Sequence, residues 1–485
     1  MKSRKISRGD FLKLSGIGSA ALLFGQRVKA AGSPNQMGAG VFTPDAKVLL
    51  RAADKRMQIL PGTQTRVYNY EGQLIGGSGV EIQTIPDSYL GPILRVKRGT
   101  KLRIIFQNNL IEDSIVHPHG LRVPEDCDGH PMQAIHPGQT KTYDFEVIDR
   151  AGPRWFHPHP MGRTSEQVMM GLAGLFYIWD EEEERAVPGA STGANDIPIV
   201  IQDRSFDSNN QFLYQPNMMW GFLGDRILVN GKPNAAFSLE PHAYRLRILN
   251  GSNARTYKLA WSNNMPLAVI GTDGGLLPEV VSRNYVMLMP GERIDVWADF
   301  SSLANRQVTL QSLAFEPGGM GMMGMGGMSG GTNGVAFDIL TVNVGGEAAV
   351  KPVLGPLPAL STRYEAGNVP NYNNPRPFVL SMAHMMTWMI NGRVFEMDRV
   401  AEDEKVNVAE TIAWEWINNS PIPHPMHIHN VEFQVLQRIT SSVTSGYSTI
   451  NQGLIDSGWK DTVSVWPGER VRIAMRFGPH TGMYM

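Results

Sequence analysis

Seven of the twelve histidines fall into three short runs: His117-Pro118-His119, His157-Pro158-His159 and His424-Pro425-Met426-His427-Ile428-His429. Side chains two apart on a strand share a face, so each His-x-His run aims two imidazoles at one point. Imidazole is a good ligand for copper, iron, nickel or zinc. A structural zinc would need one such run and one further group, whereas three runs separated by hundreds of residues imply a metal cluster assembled between distant parts of the chain. Histidines satisfied by core hydrogen bonds are the alternative, and the repeated pairing argues against it. His130, His136, His242, His384 and His480 lack this spacing and read as structural or surface residues. The one cysteine, Cys127, rules out an intrachain disulfide and, without flanking histidines, reads as a small inert thiol.

The elements that must position these runs recur three times. Alternating strands run from Leu94-Arg95-Val96 to Asn109, from Ser238-Leu239-Glu240 to Asn250 and from Val406-Asn407-Val408 to Asn419. Each is followed by a Pro-Gly turn (Pro137-Gly138, Pro290-Gly291, Pro467-Gly468) and another alternating strand. Period-two alternation such as Arg245-Leu246-Arg247-Ile248-Leu249 suits strands with one face buried. The expected fold is therefore all-β, with each repeat a small sandwich or Greek-key barrel. A length of 485 residues accommodates about three such domains. Their expected ranges are 45–183, 184–346 and 378–485, with a Pro-rich linker over 347–377. A formal net charge of −1 with mixed signs offers no footprint for nucleic acid, so the expected partners are small molecules; a monomer is the expected state.

Val116-His117-Pro118-His119-Gly120-Leu121, Trp155-Phe156-His157-Pro158-His159 and the run from His424 to His429 resemble the first three of the four copper-binding motifs of multicopper oxidases. The likeness extends to Gly171-Leu172-Ala173-Gly174-Leu175, Asp273-Gly274-Gly275 and Gly458-Trp459-Lys460-Asp461-Thr462, and is greatest toward bacterial laccases and cuprous oxidases. It implies three cupredoxin domains and type 1, type 2 and binuclear type 3 copper. His117 and His427 match type 2 ligands, His119, His157, His159 and His429 match four of the six type 3 ligands, and His424 matches a type 1 ligand. The implied activity is one-electron oxidation of phenols, aromatic amines or cuprous ion, coupled to four-electron reduction of dioxygen to water. Asp128 resembles the carboxylate that helps deliver protons to oxygen; a turn aspartate beside Gly129 is the alternative.

The fourth motif of the resemblance, His-Cys-His-x-x-x-His followed by Met, does not occur in the sequence. Aligning Gly482-Met483-Tyr484-Met485 with the approach to His157 predicts a chain cut off just before it. The 485-residue chain is accordingly expected to lack blue colour and to load copper poorly. Competing expectations are a non-catalytic three-cupredoxin envelope protein and a copper-binding protein. The methionines of Gly318–Gly331 suit a loop that handles cuprous ion or a low-complexity insertion, and those from Met382 to Met389 suit strand packing. Residues 1–31 carry Lys2, Arg4, Lys5 and Arg8, an apolar Leu14–Phe24 stretch and Val28-Lys29-Ala30, the pattern of an export signal. It resembles a twin-arginine signal with Gly9 in place of the second arginine, which points to the periplasm or cell envelope. The apolar stretch is too short for a stable membrane span, an N-terminal anchor being the alternative.

Overall fold

The alternating runs form strands, and each repeat is closed by a buried asparagine. In the computed structural model, which describes residues 42–317, 333–348, 351–383 and 387–485, the three turn strands are Lys101–Asn109, Ala243–Asn250 and Thr411–Asn418. The clamping residues are Asn108, Asn250 and Asn418, one position earlier than the turn asparagine expected in the first and third repeats. Each Nδ2 donates to one backbone carbonyl of the following loop and one of a segment further along the chain: Glu112 and Ile135, Arg255 and Leu288, Ile422 and Val465. Each Oδ1 accepts from the backbone N–H two residues on. The backbone carbonyl of the same residue accepts from the glycine of the Pro-Gly turn, Gly138, Gly291 or Gly468. A buried carboxamide satisfied on both ends can be fixed in one geometry only, because an unmade bond there costs about 1–3 kcal/mol.

Around each clamp, the turn strand pairs parallel to the first strand of its repeat and antiparallel to the strand after the Pro-Gly turn. The first pair of sheets has four and five strands and encloses Val48, Leu50, Phe106, Phe145 and Phe176. The second pair, of seven and five strands, closes on Ile248, Trp261, Val296 and Leu310. The third pair, of five and two strands, closes on Trp414, Trp416, Phe433 and Ile473. The fold is all-β, built from cupredoxin-like sandwiches. The third repeat's first strand, Arg376–Ala383, starts two residues inside the expected linker range, and Leu354 and Leu357 of that stretch pack on Ile270 and Leu276. The expected export signal (1–31), the methionine-rich segment 318–331 and His384, Met385 and Met386 lie outside the described residues. Among the described residues no helix is long and apolar enough to cross a membrane.

The repeats meet at the Asp273-Gly274-Gly275 turn. A Cβ on Gly274 would sit 2.3 Å from the Trp459 Cβ, and one on Gly275 1.9 Å from the Ala151 carbonyl oxygen, so only glycine lets all three repeats approach. The first and second sandwiches are also joined by a buried ion network. Arg95 pairs with Asp196 at 3.0 Å, Arg245 bridges Asp196 and Glu183 at 2.6 Å each, and Arg247 pairs with Asp295 at 3.0 Å. Burial alone would push the Asp196 carboxyl up, but Arg245 and Arg247 overcome it and hold it at about 2. Asp196→Asn leaves Arg95 buried without its counter-charge and takes one of the carboxylates from Arg245, so it is expected to cost about 3–5 kcal/mol in urea unfolding. Lys55→Ala, which breaks the exposed Lys55–Glu71 pair, should leave the midpoint unchanged.

Candidate metal centre

The first two histidine runs lie on neighbouring strands, Val116–His119 and Gly152–Pro158, paired antiparallel with His117 opposite His157 and His119 opposite Trp155. Residues opposite each other share a face, so the register itself brings the two runs together. The third run lies on His424–His427, paired with Thr462–Val465 so that His427 faces Thr462 and His424 faces Val465. His424 and His427 are three apart and project to opposite faces of this strand, whereas His427 and His429 are two apart. The glycine of the first motif is required by space: Gly120 has φ +83°, and a Cβ there would stand 2.3 Å from Asp461 Oδ2 and 2.9 Å from Arg293 Nη2.

Six rings close on one chamber between the first and third repeats. His117 lies 5.3–5.8 Å, ring centre to ring centre, from His119, His157, His159 and His427, and stacks on His429 at 3.8 Å. His119 stacks on His427 at 3.6 Å. Each stacked pair holds one ring from each repeat, and each is oriented by one fully buried aspartate. Asp128 accepts from His117 Nδ1 through its backbone carbonyl (2.7 Å) and from His429 Nδ1 through Oδ2 (2.8 Å). Asp461 accepts from His427 Nδ1 through its backbone carbonyl (2.8 Å), and its Oδ1 lies 3.2 Å from His119 Nε2. The two carboxylates thus reach across the seam in opposite directions.

This arrangement suits metal ions. A backbone carbonyl can only accept, so His117 and His427 carry their proton on Nδ1 and turn an Nε2 lone pair into the chamber. Both of those Nε2 atoms are buried without a hydrogen-bond partner, as is His159 Nδ1. Left so, each costs about 1–3 kcal/mol, which a cation would recover. His157 donates from Nδ1 to the Pro158 carbonyl (3.0 Å), and its Nε2 lies 3.3 Å from His119 Nδ1. That is the spacing of two nitrogens bound to one ion at about 2.0–2.1 Å each. Burial holds His117, His119 and His157 well below the usual histidine range and His159 at about 4, so the rings are neutral and their lone pairs free at neutral pH.

The seventh histidine of the runs is apart from these six. His424 shares a 2.7 Å hydrogen bond between Nε2 and Ser420 Oγ and lies edge-on to Trp388 at 5.3 Å. Cys127 is fully buried in the first core, where burial and then Asp126 push its thiol up to about 12; it stays protonated and supplies no metal ligand. His242 donates to the Ala243 carbonyl and stacks on Tyr244, His136 pairs with Asp113 on the surface, and His130 caps the short helix at Pro131. The sequence reading passed over Asp461, Arg293 and Asp273. Asp273 and Asp461 lie in motifs singled out for their likeness alone and Arg293 just after the Pro290-Gly291 turn, and the signal that could have found them is charge beside buried strand residues.

Linkage gives the sign of the pH dependence. With folded values depressed to about 4 for His159 and His424, the unfolded chain binds protons that the metal-free native protein does not. Stability is then complete above about pH 6.5, the unfolded histidine value, and falls as the pH drops from there toward 4. Thermal unfolding of metal-free protein is expected to show this slope beginning well above the carboxylate range; a flat profile down to pH 5 would contradict it.

Residues 66–183 and 369–485 each match the multicopper oxidase family. Multicopper oxidase mco of Staphylococcus epidermidis is 32% identical over 400 residues, covering 82% of this chain and 78% of that protein. Cell division protein FtsP of Xenorhabdus nematophila is 31% identical, covering 82% and 79%. In the crystal structure of the McoA multicopper oxidase from Aquifex aeolicus, 33% identical, 90% of this chain and 91% of that chain superpose with a TM-score of 0.74. With copper as the metal that its six-imidazole chamber suits, the chain belongs to the multicopper oxidase family, copper-dependent oxidoreductases that couple one-electron oxidations of a reducing substrate to the four-electron reduction of dioxygen to water.

Proposed function

We propose that the chamber is the oxygen-reducing copper site of this protein. His117 and His427 would hold type 2 copper, His119, His157, His159 and His429 would hold type 3 copper, and His424 would belong to a separate type 1 position. The reading is carried by the buried, unpartnered Nε2 atoms of His117 and His427, one from each side of the seam. When bound, copper supplies the one-electron redox chemistry that links substrate oxidation to dioxygen reduction. The protein's residues do the rest. Backbone carbonyls and the two aspartates fix the rings in advance, and burial keeps bulk water from the chamber. Asp128 is proposed as the proton-delivering carboxylate: it is fully buried, Oδ2 is engaged by His429, and Oδ1 has no hydrogen-bond partner.

The proposed reducing substrates are phenols, aromatic amines or cuprous ion. The sheet pairs support domains over about 45–183, 184–346 and 378–485, the last extended back to the strand at Arg376, and the N-terminal pattern supports export to the periplasm or envelope; a monomer is proposed. A non-catalytic envelope protein or a copper store has less support, since neither role requires six convergent imidazoles with two orienting carboxylates.

Metal analysis checks the ligand assignment. His117→Ala combined with His427→Ala should lower bound copper relative to the parent protein and abolish any dioxygen uptake that phenol or cuprous ion supports. His242→Ala should leave copper content unchanged. Parental copper in the double variant would overturn the assignment.

A further inference from the structure

The middle repeat has no paired histidines, and its expected part is that of a spacer. Its Arg293, however, reaches the wall of the chamber. We propose that Asp461 and Arg293 are positioning residues that lock His119 in its Nε2–H tautomer and so aim its Nδ1 lone pair at the position faced by His157 Nε2. The consequence for copper rests on the proposed function above; the lock itself does not.

Asp461 is fully buried, and Arg293 is 2% exposed. Arg293 Nη1 donates to Oδ1 at 2.7 Å and Nη2 to Oδ2, a two-pronged pair that keeps the carboxylate ionised. The Thr462 hydroxyl donates to Oδ1 as well, at 2.8 Å. Arg293 is itself immobilised by all three repeats: Nε donates to the Pro153 carbonyl at 3.1 Å, its backbone N–H to Asp273 Oδ1 at 2.8 Å, and its head meets Asp461. Held this way, the Asp461 carboxylate is purely an acceptor, 3.2 Å from His119 Nε2.

His119 has two choices. With the proton on Nε2 it donates to the carboxylate. With the proton on Nδ1 it would donate to His157 Nε2 at 3.3 Å, because His157 is already committed to the Pro158 carbonyl through its own Nδ1. The second choice turns the Nε2 lone pair against a carboxylate oxygen, fills the gap between the two rings with a proton, and could recover a donor only by drawing the Thr462 hydroxyl, 3.2 Å away, from its bond to Asp461. A hydrogen bond to an ionised acceptor is about twice as strong as one to a neutral acceptor, so the first choice wins. The same carboxylate thus decides which nitrogen of His119 is offered to a metal, and an arginine from the repeat without ligands decides the state of that carboxylate.

The experiment uses metal-free 485-residue protein labelled with 15N-histidine. Two- and three-bond nitrogen–proton correlations report the tautomer of each ring, and His119→Gln identifies the His119 signals. The parent should show His119 as the Nε2–H form. Asp461→Asn removes the charge without changing shape, and should bring in an Nδ1–H population and weaken Cu(II) binding about 10–100-fold, with near-ultraviolet circular dichroism unchanged. Arg293→Lys keeps the charge but loses the fork; it should move both readouts in the same direction and serves if Asp461→Asn does not fold. An Nδ1–H form in the parent, or an undisturbed Nε2–H form in both variants, would overturn the proposal. A parent that shows the lock and binds no Cu(II) would instead overturn the copper reading.

Discussion

Six imidazoles can share one chamber only if each has a partner for its proton and something to do with its lone pair. Two buried aspartates meet the first requirement for four of the rings, and they do so reciprocally. Asp128 in the first repeat takes one ring of its own repeat on its backbone carbonyl and one ring of the third repeat on its carboxylate. Asp461 in the third repeat does the same from the other side of the seam, with His427 on its backbone carbonyl and His119 at its carboxylate. Neither half of the chamber is complete without the other repeat, so docking of the repeats and assembly of the site are one event. A cation meets the second requirement for several rings at once, which is the physical reason that a metal suits the chamber.

The rest of the chain holds that seam closed. The buried asparagines Asn108, Asn250 and Asn418 fix the loop that follows each turn strand, and in the first and third repeats that loop leads directly into a histidine strand. Arg154 of the first repeat donates to the Gly120 carbonyl and also meets Asp273 of the second and Glu432 of the third. The buried ion network between the first two sandwiches adds little net stability, since desolvating its charges offsets their attraction, but it fixes one relative orientation of the sheets. Rigid strands, rather than loops, therefore carry the convergent rings, which suits a site whose ligands must be preset.

Much of this was legible in the sequence, because it rests on period-two spacing. The three paired runs gave the chamber, and the three-residue step from His424 to His427 separated one ring from the other six. The thrice-repeated Asn and Pro-Gly signals gave the sheet pairs, with a one-residue error in two of them that spacing alone does not resolve: Asn108 and Asn418 sit beside Asn109 and Asn419, and only the buried member clamps the loop. Asp461, Arg293 and Asp273 were not legible as site residues. Their contacts span 20 to 342 positions in sequence, and an ionised side chain in a strand reads as solvent-facing until the fold shows what covers it. The middle repeat looked inert for the same reason: it has no ligands, and its contribution is a single guanidinium.

The central claim is that histidines of the first and third repeats jointly hold copper. Diffraction from copper-loaded crystals on either side of the copper absorption edge tests it most directly. Anomalous peaks should lie inside the chamber, between His117 and His427 and between His119 and His157. Copper found only elsewhere, with the chamber empty at full copper occupancy, would contradict the account.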